Sequence, residues 1–312
     1  MSGALQAVYA NFRGFGKSVK AIFGFGYVSP TAYSITNLVS LTGVVATDTA
    51  GVGQARNGLA AAGYGTDKAI FGYGGASTAT AGPYFSKTNL VSNTGVVGND
   101  VAGVGTARIF LAAAGYGTDK AIFGYGIASV NLATTNLVSN TGVVGNDVAG
   151  VGTARRILAA AGYGTDKALF GYGFNVLGSA LSMTNLVSNT GVVGADVAGV
   201  GTGRYYLAAA GYGTDKAIFG YGEVTAGNLS LTNLVSNTGV VGADVAGVGT
   251  ARWYLAAAGY GNGKAIFGYG GTAIPSPLSL TNLVSSTGVV GNDVAGVGTA
   301  RIGCAAAVYG SY

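Results

Sequence analysis

Arg204-Tyr-Tyr-Leu-Ala-Ala-Ala-Gly-Tyr-Gly-Thr-Asp-Lys216-Ala-Ile-Phe-Gly-Tyr-Gly222, followed after a loop by Thr232-Asn-Leu-Val-Ser-Asn-Thr-Gly-Val240, is the stretch that decides the fold, because the chain repeats it. Leu207 to Tyr212 is a short apolar run that ends at the turn pair Thr214-Asp215. Lys216 to Tyr221 alternates, with Ala217, Phe219 and Tyr221 on one face and Ile218 and Gly220 on the other. After a loop from Glu223 to Asn228, Leu229 to Ser236 alternates again and stops at the turn Asn237-Thr238-Gly239. A last segment, Val240 to Val248, leads into the next Arg. The pattern predicts four short strands per copy in an antiparallel meander.

Working outward, Thr-Asn-Leu-Val-Ser recurs at Thr36, Thr88, Thr135, Thr184, Thr232 and Thr281, at intervals of 52, 47, 49, 48 and 49 residues. Each copy also carries Asp-x-x-Gly-Val-Gly-x-x-Arg and Lys-Ala-Ile-Phe-Gly-Tyr-Gly or a close variant. A fixed period in this range marks a repeat array, whose units bury their faces only against one another. The chain enters on a second strand, Lys20-Ala-Ile-Phe-Gly-Phe-Gly, and leaves on a first strand, Arg301-Ile-Gly-Cys-Ala-Ala-Ala-Val-Tyr-Gly. A solenoid would need polar capping repeats. A ring instead needs its terminal strands to pair, which removes exposed sheet edges. The expected fold is therefore all-β: a six-bladed β-propeller of four-stranded antiparallel blades, its ring closed by pairing of the N- and C-terminal strands. Residues 17–312 would form it and residues 1–16 would stand outside the repeat.

The copies carry a resemblance. Arg204 before a small-residue strand, a turn, and an apolar strand ending in Gly-Tyr-Gly resemble a kelch-type blade, with Gly-Tyr-Gly in place of the usual Gly-Gly and without the Trp common late in such blades. The likeness covers residues 17–312 and implies a propeller, a frame that in some proteins binds partners and in others is an enzyme.

Composition narrows the chemistry. Of 312 residues 58 are Gly, 9% are charged, and the net charge of +5 is spread through the repeats without a basic run. Nucleic-acid binding therefore has no footprint. Neither a signal peptide nor an apolar run long enough for a membrane span is apparent, so no membrane insertion is expected. The single Cys304 takes the place that Leu holds in the other copies, which predicts a buried, inert thiol and no internal disulfide. There is no His. That removes imidazole bases, Ser-His-Asp triads and most transition-metal sites.

Six aspartates each precede an arginine by eight residues: Asp48 and Arg56, Asp100 and Arg108, Asp147 and Arg155, Asp196 and Arg204, Asp244 and Arg252, Asp293 and Arg301. One carboxylate per copy is a poor Ca²⁺ cage. One structural ion pair or hydrogen-bonded turn per blade is the expected role. The Gly-Val-Gly segments lack Gly-Lys-Ser/Thr and a strand-to-helix context, so they are not phosphate loops. No catalytic residue, metal or cofactor is expected, and enzyme activity is not predicted.

Variation gathers in two places. One is the loop after each second strand, which includes Tyr33, Tyr84, Phe85 and Phe174; the other is the pair after each Arg. In that pair the second position (Gly58, Phe110, Ile157, Tyr206, Tyr254, Gly303) reads as packing. The first admits Asn57 and Arg156 beside Tyr205 and Trp253 and reads as exposed. Both places fall on one rim of a meander, whereas the turns of the opposite rim are nearly uniform. A diversified rim on a rigid frame is where recognition is expected. Asn57, Arg156, Tyr205, Trp253, Tyr33, Tyr84, Phe85 and Phe174 are the candidate ligand contacts, for a host-surface glycan or protein, because Tyr, Trp and Arg dominate binding hot spots.

Met1-Ser-Gly-Ala-Leu-Gln-Ala-Val-Tyr-Ala-Asn-Phe-Arg-Gly-Phe resembles the opening of repeat-rich virion proteins of tailed bacteriophages, marine and cyanobacterial ones especially, and the repeats resemble their propeller-type structural proteins. This likeness implies a virion component made in the host cytoplasm, docked to other virion structural proteins through residues 1–16. A cellular kelch-like adaptor or lectin is the alternative that the same repeats allow.

Overall fold

The structure, a computed structural model, describes residues 19–77, 82–273 and 276–311. The expected docking segment 1–16 lies outside the described residues, as do parts of two variable loops. Among the described residues there are strands and turns and no helix. Six antiparallel sheets carry the chain, and two small hairpins (Glu223–Val224 with Gly227–Asn228, Gly271–Ala273 with Ser276–Pro277) project from two of them.

Within each sheet the order follows the repeat. Ala208–Tyr212 pairs with Lys216–Gly220, which pairs with Thr232–Val235, and the other copies match this register. The sixth sheet joins the two ends of the described chain: Val19–Val28 pairs on one side with Thr31–Val39 and on the other with Ala305–Ser311.

The fourth segment departs from the expected strand. It is a full strand only at Val193–Val197 and Val290–Val294. Elsewhere it touches the third strand at two isolated bridges, such as Thr135 with Val148 and Val138 with Val144. A buried asparagine interrupts the ladder at the same place in every copy, full strands included. Asn136 turns its amide onto the Gly145 carbonyl at 3.0 Å, taking a place that backbone would fill. Where the full strands do form, the register still slips at this residue, between Asn185 and Val187 and between Asn282 and Val284.

The core lies between sheets. Ala159, Ala161 and Tyr163 of one sheet pack with Leu207, Ala217 and Phe219 of the next. Gly171 shows why a strand glycine is kept despite its entropic cost: a Cβ there would sit 2.6 Å from the Phe219 ring of the neighbouring sheet.

Two chains of backbone hydrogen bonds run from sheet to sheet, one at each end of the first strands. At the entry end, Gly58 donates to Gly303, Gly303 to Tyr254, Tyr254 to Tyr206, Tyr206 to Ile157, Ile157 to Phe110, and Phe110 to Gly58, at 2.8–3.0 Å. At the turn end, Gly310 donates to Asp67, Gly65 to Asp119, Gly117 to Asp166, Gly164 to Asp215, Gly213 to Gly263, and Gly261 to Val19, at 2.7–2.8 Å. Val19 and Gly310 belong to the same sheet, so this series also returns to where it began.

Candidate functional site

Each sheet is fastened by one arginine. Arg155 is fully buried, and its three guanidinium nitrogens donate to the Tyr172 carbonyl (2.9 Å), the Thr153 carbonyl (3.1 Å) and Asn185 Oδ1 (2.7 Å). Its guanidinium lies 4.4 Å from the centre of the Tyr125 ring in the preceding sheet. Asn185 passes its amide to Asp196 Oδ1 at 2.9 Å, and Asp196 Oδ2 accepts from the Thr153 hydroxyl at 2.7 Å. One side chain thus ties its own segment to the second, third and fourth strands of its sheet and stacks on the preceding sheet.

This corrects the ion pairing expected from spacing. The aspartate eight residues before each arginine is not its partner. Arg56 faces Asp100, Arg108 faces Asp147, Arg155 faces Asp196 and Arg252 faces Asp293; Arg301 faces Asp48 across the two ends of the chain. The eight-residue spacing spans the crossing from one sheet to the next, whereas the meander folds the following aspartate back onto the arginine. These contacts are long, 3.7–4.0 Å, so the guanidinium depends more on asparagine, carbonyl and ring than on carboxylate. The set is incomplete in three units: Arg56 Nε and Arg108 Nε are buried without a partner, and in a third the link to asparagine is open, with Arg204 Nη2 and Asn233 Oδ1 both buried and unpartnered.

Protonation follows the same geometry. Burial pulls the Arg56 guanidinium down to about 10, with Asp100 pulling it back up. For Asp48, Asp147, Asp196, Asp244 and Asp293 burial pushes the carboxyl upward, but threonine and asparagine hydrogen bonds outweigh it and hold the group below its usual range. Asp100 ends in the same place through Asn89 and Lys87. Cys304 is buried as expected, and burial pushes its thiol up to about 11.

The variable positions meet at the entry end of the first strands. Phe110, Ile157 and Tyr254 form a buried plug with Ile109 and Ile302, and Tyr206 packs against it. Packing at the second position is therefore what the structure has. The first position, expected to be exposed, is exposed in no copy: Asn57, Ile109 and Ile302 are buried and Arg156, Tyr205 and Trp253 are half-buried. Asn57 is fully buried: its amide meets the Gly75 carbonyl at 3.3 Å and its Oδ1 accepts from the Tyr254 hydroxyl at 3.1 Å. Two glycines, Gly58 and Gly303, stand where other copies place large side chains, and the polar Asn57 fills the plug beside them.

Arg156, Tyr205 and Trp253 are half-buried and lie along one crescent. Arg156 donates to Asn131 Oδ1 at 2.9 Å and sits 5.2 Å over the Phe174 ring. Phe174 meets Tyr205 edge-on at 4.8 Å; Tyr206 then contacts both Tyr205 (5.6 Å) and Trp253 (4.9 Å). Tyr84, although half-buried as a residue, packs its ring on the plug with its hydroxyl buried and unpartnered. Phe85 lies under the Lys87 ammonium at 5.6 Å, apart from the crescent. Tyr33 sits on the strand Thr31–Val39, half-buried.

Three features of this rim escaped the sequence. Asn131 holds Arg156 in place and also donates to the Phe174 carbonyl at 3.2 Å. Glu223, the only glutamate, is paired through its backbone with Tyr205, and burial raises its carboxyl pKa. Apolar loop tips stand out beside Arg156 and Phe174: Val130, Val176 and Leu177 are 60%, 67% and 84% exposed. The signal for Glu223 was its uniqueness. For the others there was only their place in variable loops.

The chain matches no family model and no curated protein.

Proposed function

We propose that the six sheets are the blades of a closed six-bladed, kelch-like propeller, and that this propeller is a bacteriophage virion structural protein displaying its variable rim for recognition of a host-surface glycan or protein. The closed ring draws its support from the two hydrogen-bond series that return to their starting sheets and from the pairing of Val19–Val28 with Ala305–Ser311. Recognition rests on one observation. The side chains that differ between copies gather at one end as an aromatic crescent with Arg156 and exposed Leu177, while the other end repeats nearly the same turn. Exposed valines alone would not carry this, because Val44, Val96, Val143 and their counterparts are about as exposed in every copy.

Orientation fits display. The first described residue, Val19, lies in the turn-end series, at the end of the first strands opposite the variable rim. The full chain should bind intact host envelopes or an arrayed glycan saturably. That binding should fall in Leu177→Asp, which alters only an exposed tip, and in the Arg156, Tyr205 and Trp253 triple-Ala variant. Undiminished binding by both variants would move recognition off this rim. Deleting residues 2–16 should leave a folded protein that no longer joins particles, and incorporation at normal levels would remove the docking role.

A further inference from the structure

A cavity of about 360 Å³ opens at the turn end of the first strands, and it is built by all six sheets. Its walls carry the strand glycines, including Gly63, Gly115 and Gly162, with Val308 where the sixth copy departs from glycine. The aromatic plug fills the other end of the same strands, so the cavity is approached from the turns.

Five ammonium-bearing side chains line it: Lys68, Lys120, Lys167, Lys216 and Lys264. Among the described residues no carboxylate does. Asp67, Asp119, Asp166 and Asp215 each pair with the lysine that follows them, at 2.8–3.4 Å, from outside the lining. Those lysines are 43–46% exposed, and pairs so exposed are weak and readily exchanged. Lys264 lacks even that neighbour, because Asn262-Gly263 replaces Thr-Asp in its copy. A second observation points to the same place. Thr66, Thr118, Thr165 and Thr214 line the cavity with φ between 71° and 95°, a region that β-branched residues avoid and that tends to persist where a site needs it.

We propose that this cavity binds a small polyanion carrying several phosphate or carboxylate groups. Lysines converging from five sheets can meet several charges of one ligand at once, and threonine hydroxyls supply donors between them. The volume lies at the small end of ligand pockets. The inference does not depend on what the rim binds.

Calorimetric titration of the full chain with inorganic tripolyphosphate, citrate and, as a neutral control, sorbitol tests it. At about 10 mM salt, where charges are screened only beyond about 30 Å, one tripolyphosphate or one citrate should bind per chain, and sorbitol should not. A preference between the two anions would identify phosphate or carboxylate as the group read. Lys264→Gln should weaken binding about fivefold to tenfold. The double variant Asn262→Thr, Gly263→Asp should do the same, because it rebuilds the turn of the other copies and places a carboxylate beside Lys264. Absence of saturable binding by either anion, binding indifferent to both variants, or equal binding of sorbitol overturns the proposal.

Discussion

Replacing Arg155 by Met and, separately, Asp196 by Asn distinguishes a guanidinium held by neutral acceptors and a ring from one held by its carboxylate. Arg155→Met strands Asn185 Oδ1 and the carbonyls of Tyr172 and Thr153, three acceptors at about 1 kcal/mol or more each. It also removes the stack on Tyr125, worth about 1–2 kcal/mol when desolvated. The sum is about 4–5 kcal/mol, in the range for breaking a buried charged network. Asp196 is 29% exposed and 3.9 Å from the guanidinium, and asparagine keeps one acceptor oxygen, so Asp196→Asn should cost about 1–2 kcal/mol. In thermal unfolding of the full chain, at about 2–4 °C per kcal/mol as for chains of about 150–250 residues, the arginine variant should melt about 8–20 °C lower, and the aspartate variant should fall by at most about half as much. Equal shifts, or a larger one for Asp196→Asn, would refute the reasoning and restore the ion pair as the fastening contact.

Arg204→Met should cost less than Arg155→Met by about 1 kcal/mol, because Arg204 Nη2 and Asn233 Oδ1 are already unpartnered; unfolding midpoints of the two variants compare them directly. Gly152→Ala should destabilise by at least about 2 kcal/mol, read as a fall in melting temperature, since its φ is +74° and a Cβ would collide with Asp196 Oδ1 and Asn185 Nδ2. Acid should unfold the protein steeply. Six aspartates have folded-state pKa values below their unfolded ones, so the stability they contribute is present above about pH 4 and is lost as the pH falls through the folded values. Asp196→Asn should flatten that dependence, and melting temperatures between about pH 2 and 6 measure it.

The repeat made the strands legible, because alternation and turn residues recur in register: the Ala-Ala-Ala-Gly-Tyr and Lys-Ala-Ile-Phe-Gly strands fall where the pattern put them. Partnership across the sheet was less legible. Spacing set Asp48 beside Arg56, but a four-segment meander returns Asp100 to that arginine, and only tertiary geometry says so. The fourth strand was over-read for a related reason. Its valines alternate well enough, yet a buried side chain on the neighbouring strand, Asn136 or its counterpart, competes for its carbonyl. At the rim, Asn57 reads as exposed because it is polar, whereas the Gly75 carbonyl and the Tyr254 hydroxyl, which reaches over Gly58 and Gly303, satisfy it from within. A residue's chemistry predicted its neighbours poorly wherever another copy had changed size.

The sixth sheet shows what the proposed ring requires of the ends. Arg301 donates to Asn37 Oδ1 at 2.7 Å and to the Phe25 carbonyl at 2.6 Å, partners that lie 264 and 276 residues away in sequence. Its counterpart Arg155 finds the same groups 30 and 17 residues away. If the ends parted, Arg301 would lose those partners, and the Gly58–Gly303 and Gly310–Asp67 hydrogen bonds would break with them. A buried guanidinium without acceptors costs several kcal/mol, comparable with a large share of the stability of a whole domain. In a solenoid, fraying of a terminal repeat leaves the remaining interfaces intact. Here the contacts that fasten a sheet also fasten the ends, so opening the proposed ring and unfolding the sixth sheet would be one event.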